Sequence, residues 1–394
     1  MTETGKREQV RERQSQLLPD KPPASDEQRI AVIYLTPPGG AVARRLEAAW
    51  PQVAGGTAPS VITAVPPLRQ MAADLWHRFD GLIFIMAAGI VVRTIAPLLE
   101  SKWRDPGVVV IDERGSFAVS LVGGHWGEAN TLARKAAACL GAVPVVTTAT
   151  DVQGRPAIDL LAKQWGFRPD PRSRVKGVNS ALLAGERVAI YTEWDLSEEI
   201  PSSDGGAASD AGQISSCSLQ EFTTNVLDNP EAVPVLVTSR MVSELPTRGL
   251  YLRPPSLAAG IGCRRGVTAA EIADALEQAL RLAGRSRDSL ALLASHAVKA
   301  DEAGLLEAAG QLGLELKVFS SDILNDVFKD HPNLQRSQFV QKQLGVGGVC
   351  ETAALAAVPE GALVLMKGKF GRVTVALAEA GWLWSASGRA IRRT

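Results

Sequence analysis

The sequence predicts a multi-domain α/β protein, with α/β units at its N- and C-terminal ends and a smaller, looser middle domain. Three observations carry this expectation. From Arg29 to about Asp151, short apolar runs rich in valine and isoleucine alternate with segments of helical spacing. After Asp151 that alternation weakens, and from Leu257 it returns. The chain has 394 residues, 46% of them hydrophobic, which is enough for two or three domains, each with its own core. The expected divisions are a disordered tail (1–28), an N-terminal α/β domain (29–154), a middle domain (155–254) and a C-terminal α/β domain (255–394).

Residues 1–28 are polar and charged, without an apolar run of signal-peptide length, and their acidic residues argue against a transit peptide. RIAVIYLT (Arg29 to Thr36) then reads as a strand ending in the turn PPGG, and AVARRLEAAW follows with helical spacing. FDGLIFIMAAG (Phe79 to Gly89) is a second buried-type strand ending at a glycine, and IVVRTIAPLL opens a helix. VVVID and SFAVSLV flank the turn ERG as a hairpin. Ala129, Leu132, Ala133, Ala136, Ala137 and Leu140 make one apolar helix face, stopped by Gly141, and VPVVTT begins the next strand. In the middle region ERVAIYTEW and VPVLVTSR read as strands. Ser197 to Ser218, rich in serine, glycine and acid, reads as a mobile loop. Beyond Leu257 come the strand LAAGIGC, a helix from Thr268 opened by a capping box with Glu271, and the strand SLALLAS. A helix from Asp301 to Leu312, the strand LELKVFS, the helix VCETAALAAV and the strands ALVLMKGKF and RVTVALAEA complete the unit.

Several function classes are excluded. Lysine plus arginine equals aspartate plus glutamate, 42 each, so there is no nucleic-acid footprint. No apolar run reaches the ~18 residues of a membrane helix. The expectation is a soluble cytoplasmic protein with neither a nucleic-acid nor a membrane partner. Cys139, Cys217, Cys263 and Cys350 are widely spaced without a CxxC, and no cysteine or histidine pair has zinc-ligand spacing, so no protein-held metal is expected. There is no P-loop. Neither GIGCRRG nor GVGGVC is a dinucleotide fingerprint.

What remains is a series of glycine-rich junctions: LVGGHWGEAN, MAAG, GIGCRRG, SHAVKADEAGL, GVGGVCE and MKGKFGR. In open α/β sheets ligands gather outside the carboxyl ends of strands. Glycine lets backbone N–H groups approach a ligand, and arginine or lysine adds charge-assisted hydrogen bonds to anions. So many anion-binding junctions suit a large polycarboxylate. The candidate binding residues are Gly89, Arg93, Gly123, Gly124, Trp126, Gly262, Cys263, Arg264, Arg265, Lys299, Gly347, Gly348, Glu351, Lys367 and Lys369, with Arg372 beside them. Taken singly, GIGCRRG and MKGKFGR read first as turns with solvated charges, and Cys263 and Cys350 as small buried hydrophobes. His77 and His331 read as structural or surface residues, and His296 stays open between structure and function. His125 is bracketed by glycines, presented by a strand end and supported by a helix start, and reads as a general base or acid. Glu128 and Asn130 complete the candidate catalytic set.

The ordered motifs MAAGIVVR, IAP, VVVIDE, GGHWGEAN, PVVTTATD, GIGCRRG, VGGVCETAAL and KGKFG resemble those of the cobalamin-biosynthesis family CbiG, over about Phe79 to Asp151 and Leu257 to Ala378. Two positions depart from the family pattern: Glu128 stands where the family commonly has glycine, and Thr352 where it commonly has proline. The resemblance implies a hydrolase, cobalt-precorrin-5A hydrolase, that opens a ring A δ-lactone on a cobalt-bearing polycarboxylate tetrapyrrole and releases acetaldehyde. It implies no cofactor, since the substrate carries the cobalt, and passing contact with neighbouring methyltransferases of the pathway. Trp126 would then stack on the macrocycle or wall the site from water, and Asn130 would fix a water or a lactone oxygen. Two other readings stay open: a non-catalytic tetrapyrrole-binding or hand-over protein, favoured by the similarity of the C-terminal domain to a short stand-alone protein of the aerobic pathway, and an unrelated α/β enzyme acting on another polyanion.

Overall fold

The computed structural model describes residues 28–55, 57–64, 66–196, 214–219, 232–242, 245–358, 360–385 and 389–393. The chain packs as two compact units that divide between Leu160 and Leu161.

The first unit is a doubly wound sheet. Its strands are β1 (Ile30–Tyr34), β2 (Ser60–Thr63), β3 (Gly81–Ile85), β4 (Gly107–Ile111), β5 (Phe117–Val122) and β6 (Val143–Val145). They lie in the order β2-β1-β3-β4-β5-β6. The first four run parallel, β5 turns back against β4, and β6 runs with β5. The β1 and β3 runs are apolar throughout because both faces are covered. Val32, Ile83 and Ile85 point to α1 (Pro37–Val53) and α4 (Ala129–Leu140), whereas Ala31, Ile33, Leu82 and Phe84 point to α2 (Leu68–Trp76) and α3 (Ala88–Ile95). Full burial of each large aliphatic side chain contributes about 1.5–3 kcal/mol. The expected apolar face of α4 is buried as one stripe, and Gly141 ends the helix at φ 68°.

Strand direction corrects one expectation. Because β5 is antiparallel to β4, its carboxyl end lies beside the amino end of β4: Val122 pairs with Val108 and Ala118 with Ile111. The GGHWGEAN and MAAG junctions therefore lie on opposite edges of the sheet, separated by a strand length of roughly 17 Å. Gly89 and Arg93 do not share an edge with His125.

The second unit holds two further sheets. The central one has the order β7-β11-β10-β8-β9, from β7 (Arg168–Asp170), β8 (Arg187–Thr192), β9 (Ile214–Ser218), β10 (Ala232–Val237) and β11 (Leu250–Arg253). The C-terminal part of the expected mobile loop is thus a strand. Ile214–Ser218 pairs in parallel with Val188–Thr192, since an edge strand is held by its backbone ladder even where its side chains are small and polar. The rest of that loop lies outside the described residues. Arg253 is fully buried and well partnered: Asp170 at 3.1 Å, two carbonyls at 3.0 and 2.7 Å and the Tyr251 ring at 3.7 Å take up its donors.

The third sheet runs β14-β13-β12-β16-β15, from β12 (Leu257–Cys263), β13 (Leu290–His296), β14 (Glu315–Phe319), β15 (Ala362–Phe370) and β16 (Val373–Glu379). One face packs on α8 (Ala269–Ala283) and α9 (Ala303–Leu312), the other on α10 (Ser321–Asp330) and α12 (Cys350–Ala356). The Thr268–Glu271 capping box is formed as expected. Gly260 is required by packing, because a Cβ there would stand 1.7 Å from the Cys350 carbonyl oxygen. Arg393 ties the central and C-terminal sheets together, reaching Glu193 at 2.6 Å and Glu379 at 3.0 Å.

Candidate active site around His125

The turn after β5 is built by backbone contacts. The N–H groups of Glu128, Ala129 and Asn130 donate to the carbonyls of His125, Gly123 and Gly124. The first donors of α4 are therefore used within the turn. Gly123 has φ 75°, and a Cβ on it would stand 2.9 Å from the Pro106 carbonyl oxygen; one on Gly127 would stand 2.9 Å from both Gly107 N and its own turn's Gly123 carbonyl. These glycines are needed where two chain segments pack closely. Glu128 has φ 64°, the left-handed region that glycine occupies without steric cost. Its carboxylate accepts from the side chain of Gln28.

His125 is 11% exposed and stands among carboxylates. Its Nε2 lies 2.7 Å from Asp151 Oδ2 and 3.3 Å from the Thr150 hydroxyl; its Nδ1 lies 3.6 Å from Asp159 Oδ1. Asp151 and Thr150 come from α5 (Ala149–Gln153), after β6, and Asp159 from the start of α6 (Ile158–Trp165). Asn130 donates to Asp151 Oδ2 and to the Thr148 hydroxyl, both at 3.0 Å, and accepts from Ser120 at 2.7 Å. Arg134 donates to Asp151 Oδ1 at 2.6 Å. On the other side Lys102, half-exposed, reaches Asp159 Oδ2 at 3.1 Å and lies 4.5 Å over the Trp103 ring, which meets Trp126 edge-on at 4.8 Å.

The electrostatics follow from this arrangement. Asp159 does most to hold the His125 imidazole in its charged form, above its ordinary pKa; burial opposes this and Asp151 adds to it. Burial pushes the Asp151 carboxyl up, but hydrogen bonds from Arg134 and His125 outweigh it and hold the carboxyl below its usual range. The result is an imidazole between two carboxylates that favour its charged form, with an aromatic wall and a half-exposed lysine beside it. When charged it holds its proton more tightly than a free imidazolium and passes it only to a more basic oxygen, such as one becoming an alkoxide.

Asp151, Thr150, Asp159, Lys102, Trp103 and Arg134 were not among the residues that the sequence singled out for a role. Asp151 closes the motif TTATD, which is the one signal that pointed to it.

In the second unit Gly262, Cys263, Arg264 and Arg265 gather at one edge of the C-terminal sheet with Lys367 and Lys369, because β16 runs against both β12 and β15 and the carboxyl ends of those two strands meet at its start. Arg264, Lys367 and Lys369 are exposed. Arg265 pairs with exposed Asp301 at 3.4 Å, whereas Lys299 is committed to the buried Glu302 at 2.8 Å, which also accepts from Gly266 N. Glu351 is buried and accepts from Lys367 N. Gly347 and Gly348 lie against the Phe328 ring, Gly347 so closely that a Cβ would stand 3.0 Å from it. Burial pushes the Cys263 thiol up and the Cys350 thiol to about 11, so neither is a ready nucleophile. His296 is structural: Val298 N donates to its Nδ1 at 3.0 Å, so Nε2 carries the proton toward the Ser321 hydroxyl at 2.9 Å. Burial pushes its pKa down. Among the described residues no group of three or more histidine, cysteine, aspartate or glutamate side chains stands where it could hold a metal ion, and no helix is long and apolar enough to cross a membrane.

Three family models match in sequence order: Cobalamin synthesis G N-terminal over residues 70–151, Cobalamin biosynthesis central region over 156–254 and Cobalamin synthesis G C-terminus over 257–378. Among curated proteins, the chain is 38% identical over 338 residues to the cobalt-precorrin-5A hydrolase of Salmonella typhimurium, covering 82% of this chain and 90% of that one. It is 35% identical over 320 residues to the cobalt-precorrin-5A hydrolase of Priestia megaterium, covering 79% and 81%. A solved structure of CobE, a protein from the cobalamin biosynthetic pathway, matches 35% of this chain and 96% of its own at 34% identity, with a TM-score of 0.30. Identity of this level across most of the chain, with the three family regions in order, leaves one assignment: the chain belongs to the cobalamin synthesis G family, CbiG.

Proposed function

We propose that the protein is a cobalt-precorrin-5A hydrolase of anaerobic cobalamin biosynthesis, opening the ring A δ-lactone of its substrate and releasing acetaldehyde, and that His125 is its acid–base group. The family's named relatives support the reaction. The observation that supports the residue is the imidazole held 2.7 Å from Asp151 and 3.6 Å from Asp159.

The reaction asks for two proton transfers. In the first, water adds to the lactone carbonyl, giving one proton to the Asp151 carboxylate. The ring C–O bond breaks, and the departing oxygen takes the proton of the His125 imidazolium, leaving a carboxylic acid and a hydroxyl. In the second, the neutral imidazole takes the hydroxyl proton back. The adjacent C–C bond breaks, its electron pair passes into the conjugated macrocycle and its cobalt, and the two-carbon fragment leaves as acetaldehyde. The macrocycle that received the electron pair takes up the proton that Asp151 had accepted from water, so His125 ends charged and Asp151 ends as a carboxylate, each as it began. Asn130 and Arg134 keep the Asp151 carboxylate aimed at the imidazole, while Trp126, backed edge-on by the buried Trp103, offers an apolar wall to the macrocycle.

The same proposal takes the cobalt as cargo of the substrate, needs no cofactor, sets the reaction in the cytoplasm and allows passing contact with the methyltransferases on either side of it. Incubating the purified protein with the lactone-bearing cobalt intermediate tests it. Acetaldehyde release is the expected result. Tight binding without release would favour a hand-over protein, and neither would leave an enzyme for some other polyanion.

A further inference from the structure

The Asp151 carboxylate has one place left for a water. A carboxylate offers about four acceptor positions, two on each oxygen. On Oδ2 both are taken, by His125 Nε2 at 2.7 Å and by Asn130 Nδ2 at 3.0 Å. On Oδ1 one is taken, by Arg134 Nη2 at 2.6 Å. A water that gives its proton to Asp151 therefore sits on Oδ1, beside the Arg134 guanidinium. That group can serve a second oxygen. Arg134 stands in the second turn of α4 with its side chain 52% exposed, whereas that of Asp151 is 16% exposed. A guanidinium has five N–H donors in a fixed fork, and Nη2 alone meets a partner among the described residues. The bond to Asp151 pins one end of the fork, so the open donors are held in place before a ligand arrives, which lowers the ordering cost of using them.

We propose that Arg134 is a catalytic residue of the lactone-opening step: its open N–H groups hold the oxygen that turns negative as water adds to the lactone carbonyl, and then the carboxylate that the lactone becomes. This deepens the proposed function and rests on it. The water on Oδ1 forms the new C–O bond and passes a proton to Asp151. The carbonyl π pair moves onto its oxygen, and Arg134 meets that charge. As the ring C–O bond breaks, the pair returns to the C=O bond and the departing oxygen takes its proton from His125. The new carboxylic acid loses its proton to solvent, and the carboxylate stays on the guanidinium. Asp151 and Arg134 thus act as one unit, a base and an oxyanion donor set side by side by a single hydrogen bond. Lys102 is not placed for this role, because it lies behind Asp159 on the Nδ1 side of the ring.

Uroporphyrin III, a metal-free tetrapyrrole with a free acetate and a free propionate on every ring, stands in for the opened product. Its affinity is measured by quenching of tryptophan fluorescence in the wild type, Arg134→Gln, Asp151→Asn and the double variant. Loss of the guanidinium should weaken binding about tenfold, the effect of one charge-assisted hydrogen bond. The same loss is expected in the Asp151→Asn background, since the contact removed is with the ligand; a residue that only positioned Asp151 would lower affinity in neither. The kcat for acetaldehyde release in Arg134→Gln should fall by about 10²–10³, the usual result of removing an oxyanion donor. In the double variant it should fall below that of Asp151→Asn. A thermal melt confirms that each variant is folded. Should Arg134→Gln melt early, Arg134→Lys takes its place with a smaller loss expected, because an ammonium group lacks the fork. Unchanged affinity without the guanidinium, a loss that disappears in Asp151→Asn, a normal kcat, or a wild type that does not bind uroporphyrin would overturn the proposal. Acetaldehyde release by the wild type is scored separately. If it occurs while Arg134→Gln matches the wild type, the role of Arg134 falls and the hydrolase stands; if it fails, the hydrolase reading falls on its own assay.

Discussion

The Asp151 carboxylate meets the His125 imidazole at 2.7 Å through one oxygen and is held through the other by Arg134 at 2.6 Å. Asp151→Asn keeps the shape and removes the charge. Acetaldehyde release should fall by about 10²-fold or more, within the range for loss of general acid–base help. The melting temperature should move little, because an amide still accepts from Arg134. Steady-state turnover and a thermal melt on one preparation check this. Turnover within a factor of three of wild type would remove Asp151 from the chemistry.

The charges at this site give folding stability a pH dependence of known sign. The folded-state pKa of His125 is raised, so its contribution is fully present below the unfolded value of about 6.5 and is lost as pH rises through the folded value. Asp151 is lowered, so its contribution is present above about 3.9 and is lost as pH falls through the folded value. The stability advantage of wild type over His125→Gln in urea should therefore be largest near pH 6 and shrink toward pH 9. An advantage that grows with pH would contradict the imidazolium.

Glu128 stands at φ 64°, in the left-handed region that glycine occupies without steric cost. A left-handed conformation costs a residue with a Cβ about 1–2 kcal/mol. Glu128→Gly removes that cost, gives up the contact with Gln28 and loosens the unfolded chain, so a net gain of about 0.5 kcal/mol is expected. Turnover should stay near wild type. A large loss of activity in Glu128→Gly would show that Glu128 takes part in the chemistry.

Lys367 and Lys369 are exposed on β15, beside Arg264. If they bind substrate carboxylates, charge-assisted hydrogen bonds of roughly 1.5–3 kcal/mol each are at stake. Uroporphyrin affinity of Lys367→Ala and Lys369→Ala should then drop about tenfold each. Lys299→Ala should instead lower the melting temperature, because it leaves Glu302 buried without its cation. Full affinity in both exposed-lysine variants would show that those charges are only solvated.

Much of this was legible in the sequence, and what was not has physical causes. The apolar face of α4, the capping box of α8 and the runs of β1, β3, β12 and β13 are local patterns, and they appear where periodicity puts them. Helix α10 escaped because only Leu324 and Phe328 bury on it, too thin a stripe to read. Strand β9 escaped because an edge strand of serines looks like a loop. The hairpin over Val108 to Val122 already implies that the end of β5 reverses edge, so a rule about strand ends that ignores direction misplaces Arg93 beside His125. His125 and Asn130 were readable from their junction. Asp159 and Lys102 were not, because their partners are distant in sequence and neither belongs to a motif with a mechanism.

The central claim is that His125 moves protons. The most direct measurement is acetaldehyde release by His125→Gln, taken with its melting temperature on the same sample. The account predicts a folded protein that keeps most of its affinity for the substrate and loses release by about 10²–10⁴. A lowered melting point with nearly wild-type turnover per folded molecule would contradict it, and would make the histidine a residue that only ties the turn to α5 and α6.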